Sequence, residues 1–498
     1  MLRPFEETPV TGIRAILGYV GIVCMLIGLL ALAPLFSLLR YTGESVYAPS
    51  FIFPGIACIT CGYLLYFTTI RGCGKVELRR RDGAAVVCCA WACAIAAYAA
   101  PFALGNQLDV SQAVFEATSG LTTTGLSVVD VTACPTIFLI HRTLMHYIGG
   151  IGLLLVLTCI VNDTQGLSIY HAEGHTDRLL PSSVRTARAV LAMYTLVIVA
   201  GIIAYRLCGM PLLDAFATSV SAVSTGGFVV DADSIGGYHS LAIEIVSIVL
   251  MLVGATNFLQ NFLIVHGRFS EAFHHEETRA WYLTIATVSL IGMFVLLATG
   301  YADAWGDALR ISLFQTVSVI TTTGFQTIPS FAALPSTLVF LLVLLMFVGS
   351  EAGSTAGGMK MYRVVVVGRS LVSMAKSEFG HRRGIRTCKI VRFGKKLECS
   401  PEERRDVTVF FGLYVSAFII GSFIFTLAGC SFGDAVFEFA SCIGNVGVSV
   451  GVITQQAPDF ILWTGTVGMF LGRLEIVPVF IGAKRLLDAA REWRSLER

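Results

Sequence analysis

Apolar residues run along this chain in blocks of about twenty, each closed by a short polar or basic stretch, and that is the length a helix needs to cross the hydrocarbon core of a bilayer. The blocks lie at 15–39, 51–70, 84–104, 136–161, 184–207, 241–265, 281–299, 334–368, 407–427 and 460–487. They predict an all-α polytopic membrane protein. The first block is too long for a removed signal peptide and lacks the small-residue cleavage site.

A second pattern lies between the blocks. An aromatic residue is followed ten positions later by glycine in a short polar phrase: Phe115 to Gly125, Phe216 to Gly226, Phe314 to Gly324 and Phe437 to Gly447. The phrases end in Thr122-Thr123-Thr124-Gly125, Val223-Ser224-Thr225-Gly226, Thr321-Thr322-Thr323-Gly324 and Gly444-Asn445-Val446-Gly447. About ten residues before each loop are too few to span, so they are expected to be half-helices that enter and return on one side. A repeat search thus finds four pseudo-repeats, each an outer helix, a re-entrant pore half-helix with its loop, and an inner helix, around one central pore. The expected divisions are an added N-terminal transmembrane helix pair at 1–82 and repeats at 83–177, 178–275, 276–400 and 401–498.

Composition agrees with a membrane setting, since 55% of residues are apolar, 14% are charged and the mean hydropathy is +0.75. The net charge of +2 says nothing about partners, but the placement of charge gives an orientation. Basic clusters at Arg3 and Arg14, Arg71 to Arg81, Arg178 to Arg188, Arg268 and Arg279, Arg369 to Arg405, and Lys484 to Arg498 follow every second block. The positive-inside rule puts them, and both termini, in the cytoplasm. The four phrases then fall on the outer side, where Asp130 and Asp231 either form an acidic vestibule that attracts cations or are solvated loop residues.

Most of the cysteines lie in or beside the blocks, where a thiol packs as a small apolar group, and Cys58-x-x-Cys61 has no second pair at zinc spacing. No nucleotide-binding glycine loop, no soluble segment of domain size and no clustered His, Asp or Cys at catalytic spacing is present. The chain is therefore expected to be no enzyme, to carry no cofactor and to bind no nucleic acid.

Irregular backbone at membrane depth is tolerated only where protein buries it or water lines it, so the four loops are expected to meet at a common axis. Glycine lets carbonyls turn toward that axis, and Thr or Ser adds uncharged hydroxyls, which suits a dehydrated monovalent cation. Half-helices that run inward also present their partially negative C-terminal ends to it. The fourth loop lacks the threonines, so hydroxyl coordination is missing on one wall. The third inner block is interrupted by a polar, glycine-rich run from Gly349 to Lys360 that cannot continue a straight helix. Arg473, in the fourth inner block, is a cation at mid-depth that must meet carbonyls, a carboxylate or water.

These residues resemble the Trk, Ktr and HKT superfamily of potassium transporters over nearly the whole chain, and the extra N-terminal pair is similar to its bacterial Trk branch. The resemblance implies that Gly125, Gly226, Gly324 and Gly447, with the loop residues quoted above, are the potassium filter. Sodium-selective plant relatives have serine at the first glycine, so Gly125 implies potassium preference. It also implies an intramembrane gate of Gly349, Ser350, Gly353, Ser354, Thr355, Gly357 and Gly358 on which Arg473 bears; pairing of Arg473 with Glu475 or Glu351 is the alternative. Lys360 is either part of this gate or the first cytoplasmic anchor.

The same resemblance implies a homodimer in the bacterial cytoplasmic (inner) membrane and a cytosolic, TrkA-like ring of regulatory subunits that takes NAD or ATP/ADP. The ring would dock on 369–405, whose other reading is a solvated connector near anionic lipid. The stretch 142–152 resembles the family's first inner helix, with Arg142 structural and His141 and His146 as hydrogen-bonded packing residues. Asn257, Gln260 and Asn261 either pack against the gate or line the lower pore. Two functions remain: potassium passing down its gradient, or a symporter coupled to protons or sodium by alternating access. A buried carboxylate beside the path would favour the second, and the candidates Glu116 and Glu438 are expected to be caps at the start of their half-helices.

Overall fold

The computed structural model describes residues 10–73, 76, 78–152, 183–378 and 389–496. Arg3, Lys75, Cys159, Val161, Arg178, Arg498 and the 379–388 part of the basic loop lie outside the described residues. Among the described residues six helices are long and apolar enough to cross a membrane. Two of them, Ile13–Ala31 and Ala48–Thr69, form the N-terminal pair. Their backbones touch at Gly21 with Gly62 and at Gly28 with Gly55, where a Cβ would lie 2.6 Å from the opposing carbonyl. Small residues at such crossings let helices approach in lipid. The other four are the outer helices Arg80–Leu104, Ser183–Leu207, Glu276–Ala298 and Pro401–Leu427.

After each outer helix comes a shorter one: Val110–Leu121, Leu212–Val223, Trp305–Ile320 and Phe432–Gly444. These pore helices have 12 to 16 residues, or roughly 18–24 Å at 1.5 Å per residue, too little to cross about 30 Å of hydrocarbon. Local chemistry starts them. Asp109 and Gln112 cap the first reciprocally, and Ser431 accepts from the Asp434 amide at the fourth.

The inner helices Thr136–Ile151, Leu241–Ala255, Ser336–Val348 and Asp459–Leu474 follow the four polar loops. The sequence reading carries 241–265 and 460–487 as continuous spans, and the structure breaks both. Leu241–Ala255 meets Phe258–Val265 at 112°, and Asp459–Leu474 meets the next helix at 101°. The first ends at Gly152 with φ 91°, and the third ends at Gly349. Hydropathy misses these bends because apolar residues continue on both sides of them. All four inner helices end at one level, just below the ends of the pore helices. Gly149, Gly254 and Gly472 leave no room for a side chain against the carbonyls of Leu121, Val223 and Ile443. In the third repeat Ser350 donates to the Ile320 carbonyl at 2.9 Å instead. Against the short bends of the second and fourth repeats, the third is distinguished by the length of its break, which runs from Gly349 to Lys360.

Candidate functional site

The four polar loops begin where the pore helices end, and each turns through a left-handed residue and then a left-handed glycine. The residues are Thr123, Thr225, Thr322 and Asn445, with φ of 52° to 55°, and the glycines are Gly125, Gly227, Gly324 and Gly447, with φ of 81° to 93°. In the second loop the glycine of this geometry is Gly227, not the expected Gly226. The hydrogen bonds agree: the amides of Thr124, Gly226, Thr323 and Val446 donate to the carbonyls of Ser119, Ser221, Ser318 and Ser441 at 2.7–2.9 Å. Gly226 thus stands in the place of Thr124, and Val223 is the last residue of its pore helix rather than part of the loop. Spacing from phenylalanine misleads here because Ala217, not Phe216, occupies the buried place of Phe115, Phe314 and Phe437, and Phe216 is only half-buried. A serine six positions before each glycine keeps the true register, and it is readable in the sequence.

The glycines close a ring. A side chain on Gly125 would collide with the Gly226 carbonyl, on Gly227 with that of Thr323, on Gly324 with that of Val446, and on Gly447 with that of Thr124. Each repeat thus abuts the next in cyclic order, and only glycine fits at the contact. Ser224 and Thr225 place hydroxyls where the first repeat has Thr122 and Thr123. Thr122 and Thr124 share a hydrogen bond at 2.8 Å, as do Thr321 and Thr323. Asn445 fills the gap in the fourth loop, since its amide nitrogen donates to Thr124 Oγ1 and to the Met469 carbonyl, both at 2.9 Å.

Two buried carboxylates brace this ring from behind. Glu116 and Glu438 are not caps: they sit mid-helix and bond the chain that leaves the loop. Glu116 accepts from Ser127 and from the Val128 amide at 3.0 Å, and Glu438 accepts from Ser449 at 2.5 Å and from the Val452 and Ile453 amides at 3.0 Å. Arg142 pairs with Glu116 at 2.8 Å and stacks over Phe228 at 4.0 Å, which joins the first repeat to the second. His146 packs against Phe228 and meets Ser221 at 3.2 Å, and His141 meets the Tyr98 carbonyl at 2.9 Å. Above the ring, Asp130 accepts from the Thr132 amide and hydroxyl at 2.9 and 2.6 Å, and Asp231 from the Asp233 amide at 2.8 Å. Those bonds hold the exposed Asp130 carboxyl below the usual carboxylate range.

Beneath the ring lies the segment from Gly349 to Lys360. Its Gly357 amide donates to Thr322 Oγ1 at 2.8 Å, its Thr355 hydroxyl lies 3.3 Å from that of Thr225, and Gly357 packs on Gly444 and Asn445. The segment therefore touches the bases of the second, third and fourth loops. Arg473 ties it to the first repeat, donating to the Thr355 and Gly149 carbonyls at 2.5 Å each. Glu475 pairs with Arg363 at 2.7 Å, and Glu351 accepts from the Asn257 amide at 2.9 Å. Lys360 turns back to the Ala356 carbonyl and so belongs to the segment rather than to a cytoplasmic anchor. Gly349, Gly353 and Gly358 take left-handed φ within it, and Ser354 donates to the Glu351 carbonyl at 2.6 Å. Asn257 Nδ2 donates to the Ala352 carbonyl at 2.6 Å, Gln260 accepts from Thr278 at 2.7 Å, and Asn261 donates to the Val253 carbonyl at 2.9 Å. Asn257 thus packs on the segment directly.

Helices that cross a membrane around four re-entrant helices, whose loops close one ring, define a multi-pass membrane transport protein rather than an enzyme. The comparisons with known proteins give the same class and a family. The chain belongs to the TrkH family, described as cation transport proteins, which matches residues 48–495. It is 31% identical to the Trk system potassium uptake protein TrkH of Vibrio parahaemolyticus, over 94% of this chain and 98% of the relative. It is 29% identical to the Trk system potassium uptake protein TrkG of Escherichia coli, over 97% and 99% of the two chains. The crystal structure of the potassium transporter TrkH from Vibrio parahaemolyticus superposes with a TM-score of 0.82 at 29% identity, covering 94% of this chain and 98% of that one.

Proposed function

We propose that this protein takes up potassium across the bacterial cytoplasmic membrane, through a filter formed by the loops that end in Gly125, Gly227, Gly324 and Gly447. The observation that carries the proposal is the cyclic contact of those glycines with the carbonyls of Gly226, Thr323, Val446 and Thr124. Carbonyls and hydroxyls held around one axis replace the water shell of a monovalent cation without placing a charge on the path. The relatives named as potassium uptake proteins support the choice of ion.

The segment from Gly349 to Lys360 is the gate in this reading. It lies against the bases of three loops, and Arg473 holds it across the path while adding a positive charge beneath the filter. Coupled symport has less support. Glu116 uses both oxygens on Ser127, Val128 and Arg142, and Glu438 braces its chain through Oε1. The working assembly is a homodimer with both termini in the cytoplasm, regulated by a TrkA-like subunit that takes NAD or ATP/ADP and docks on the basic loop.

The test is current recording in liposomes under a potassium gradient. A current that reverses at the potassium potential, independent of pH and sodium gradients, is expected; a reversal displaced by either ion moves the assignment to symport. Gly125→Ser should raise sodium permeability, and deletion of 353–357 should raise resting flux.

A further inference from the structure

Two consecutive glutamates open the third outer helix, and they grip different things. Glu277 is buried, and its Oε1 accepts from the Ala352 amide at 2.7 Å and from the Tyr362 amide at 2.9 Å. Ala352 lies near the start of the gate segment and Tyr362 just past its end, so one carboxylate oxygen clamps the segment's two feet together. Glu276 faces the other way. Its Oε1 takes Arg369 Nε at 2.5 Å, and its Oε2 takes the Val391 amide at 3.1 Å.

Val391 belongs to a cytoplasmic hairpin, Lys389–Arg392 paired antiparallel with Lys395–Glu398. The hairpin tip also docks beside these glutamates, with the Gly394 amide on the His274 carbonyl at 2.8 Å and Phe393 stacked on His275 at 4.5 Å. From the end of its first strand the hairpin lays Arg392 over the Tyr362 ring at 4.4 Å. The first turn of this helix is therefore bonded on one side to the hairpin and on the other to the gate.

We propose that Glu277 is a positioning residue that holds the gate segment shut by its two feet, and that Glu276 couples the cytoplasmic hairpin to that clamp. Resting on the gate reading above, the inference gives the hairpin a mechanical role: pulling it away shifts the helix turn that carries Glu277, and both amide bonds lengthen together. Loss of both bonds leaves two amides of one segment without their acceptor, and that cost falls on the closed state alone, so the balance shifts toward open. Sequence alone does not single out Glu277, because an acidic residue in the first turn of a helix is ordinary. What marks it is that its Oε1 takes two backbone amides at the two ends of one distant segment, while its Oε2 lies 3.9 Å from His275 Nδ1.

The experiment measures resting potassium flux and reversal potential in liposomes for full-length Glu277→Ala, Glu277→Gln and Glu276→Ala, and for the Glu276→Ala/Glu277→Ala pair. Glu277→Ala should raise resting flux at least about tenfold with the reversal potential unchanged, and Glu277→Gln, which keeps an acceptor oxygen, should stay within about threefold of the parent. Glu276→Ala should raise flux less, and the double variant should match Glu277→Ala alone, since Glu276 acts only through the clamp. Should Glu277→Ala not fold, Glu277→Asp serves, its shorter carboxylate reaching only one of the two amides. Unchanged flux in folded Glu277 variants overturns the clamp. A shifted reversal potential overturns it too, because the residue would then act on the filter. Multiplying effects of the two substitutions overturn the coupling. If the parent protein passes no potassium, the functional reading fails instead, and the two failures are distinct.

Discussion

The α-carbon of Gly227 faces the Thr323 carbonyl so closely that any side chain at 227 would overlap it. Its neighbour Gly226 meets instead the ring of His146. Gly227 also takes φ 87°, which side-chain-bearing residues adopt only at a cost of ~1–3 kcal/mol. Gly227→Ala should thus cut potassium transport by tenfold or more. Gly226→Ala should be rescued by His146→Ala, which vacates the space, whereas Gly227→Ala should not be. Transport assays on the four variants separate the two glycines, and equal rescue would return Gly226 to the ring.

Removing the partner of Arg142 should destabilise the outer half of the first two repeats. The pair with Glu116 is buried on both sides, and breaking such a pair leaves an uncompensated charge worth about 3–5 kcal/mol. Glu116→Ala should lower the thermal unfolding midpoint in detergent clearly more than Glu116→Gln, which keeps an oxygen for Ser127 and Val128. Equal midpoints for Glu116→Ala and the parent would refute the bracing role.

Arg473 spans two repeats because a guanidinium presents separate donors in a planar fork, and a lysine ammonium does not. Arg473→Ala should raise resting flux about tenfold or more, on the scale of one or two charge-assisted bonds of ~1.5–3 kcal/mol each. Arg473→Lys should fall between Ala and the parent. Single-channel open probability at fixed voltage is the measurement, and a lysine variant identical to the parent would show that charge alone suffices.

The Thr132 hydroxyl and amide stabilise the ionised Asp130 and hold its carboxyl low. As outer pH falls toward 4, near the ordinary aspartate value, Asp130 therefore keeps its charge longer than a free aspartate. Thr132→Val removes one of the two donors, so the charge is lost at higher pH. If Asp130 attracts cations to the mouth, inward conductance in Thr132→Val should begin to drop at a higher outer pH than in the parent. Asp130→Asn should flatten the profile. Identical profiles in all three would assign Asp130 to the loop turn alone.

Much of the site is legible in the sequence. The four loops, the interruption at 349–360 and the isolated Arg473 announce themselves because each is polar or flexible where the surroundings are apolar. The register of the second loop was not legible from phenylalanine spacing, since Phe216 imitates a repeat position that Ala217 fills. Glu116 and Glu438 were misplaced for a related reason: a carboxylate near a helix start reads as a cap until its partners, eleven to fifteen residues onward, are seen. The bends after Ala255 and Leu474 are hidden because the few polar residues at each, Asn257 to Asn261 and Arg473 to Glu475, are followed by a further apolar stretch.

Sequence by itself determined that the chain lives in a bilayer, that it contains four re-entrant units and that one inner helix carries a long break, because burial in lipid and backbone satisfaction act on local stretches. Only the tertiary structure decided which glycine completes the ring, that all four inner helices end at one level, and that Glu277 holds both feet of the segment beneath. Those are relations between residues tens to hundreds of positions apart. They are set by which carbonyl meets which amide once the four units close around an axis, and local pattern carries no record of that.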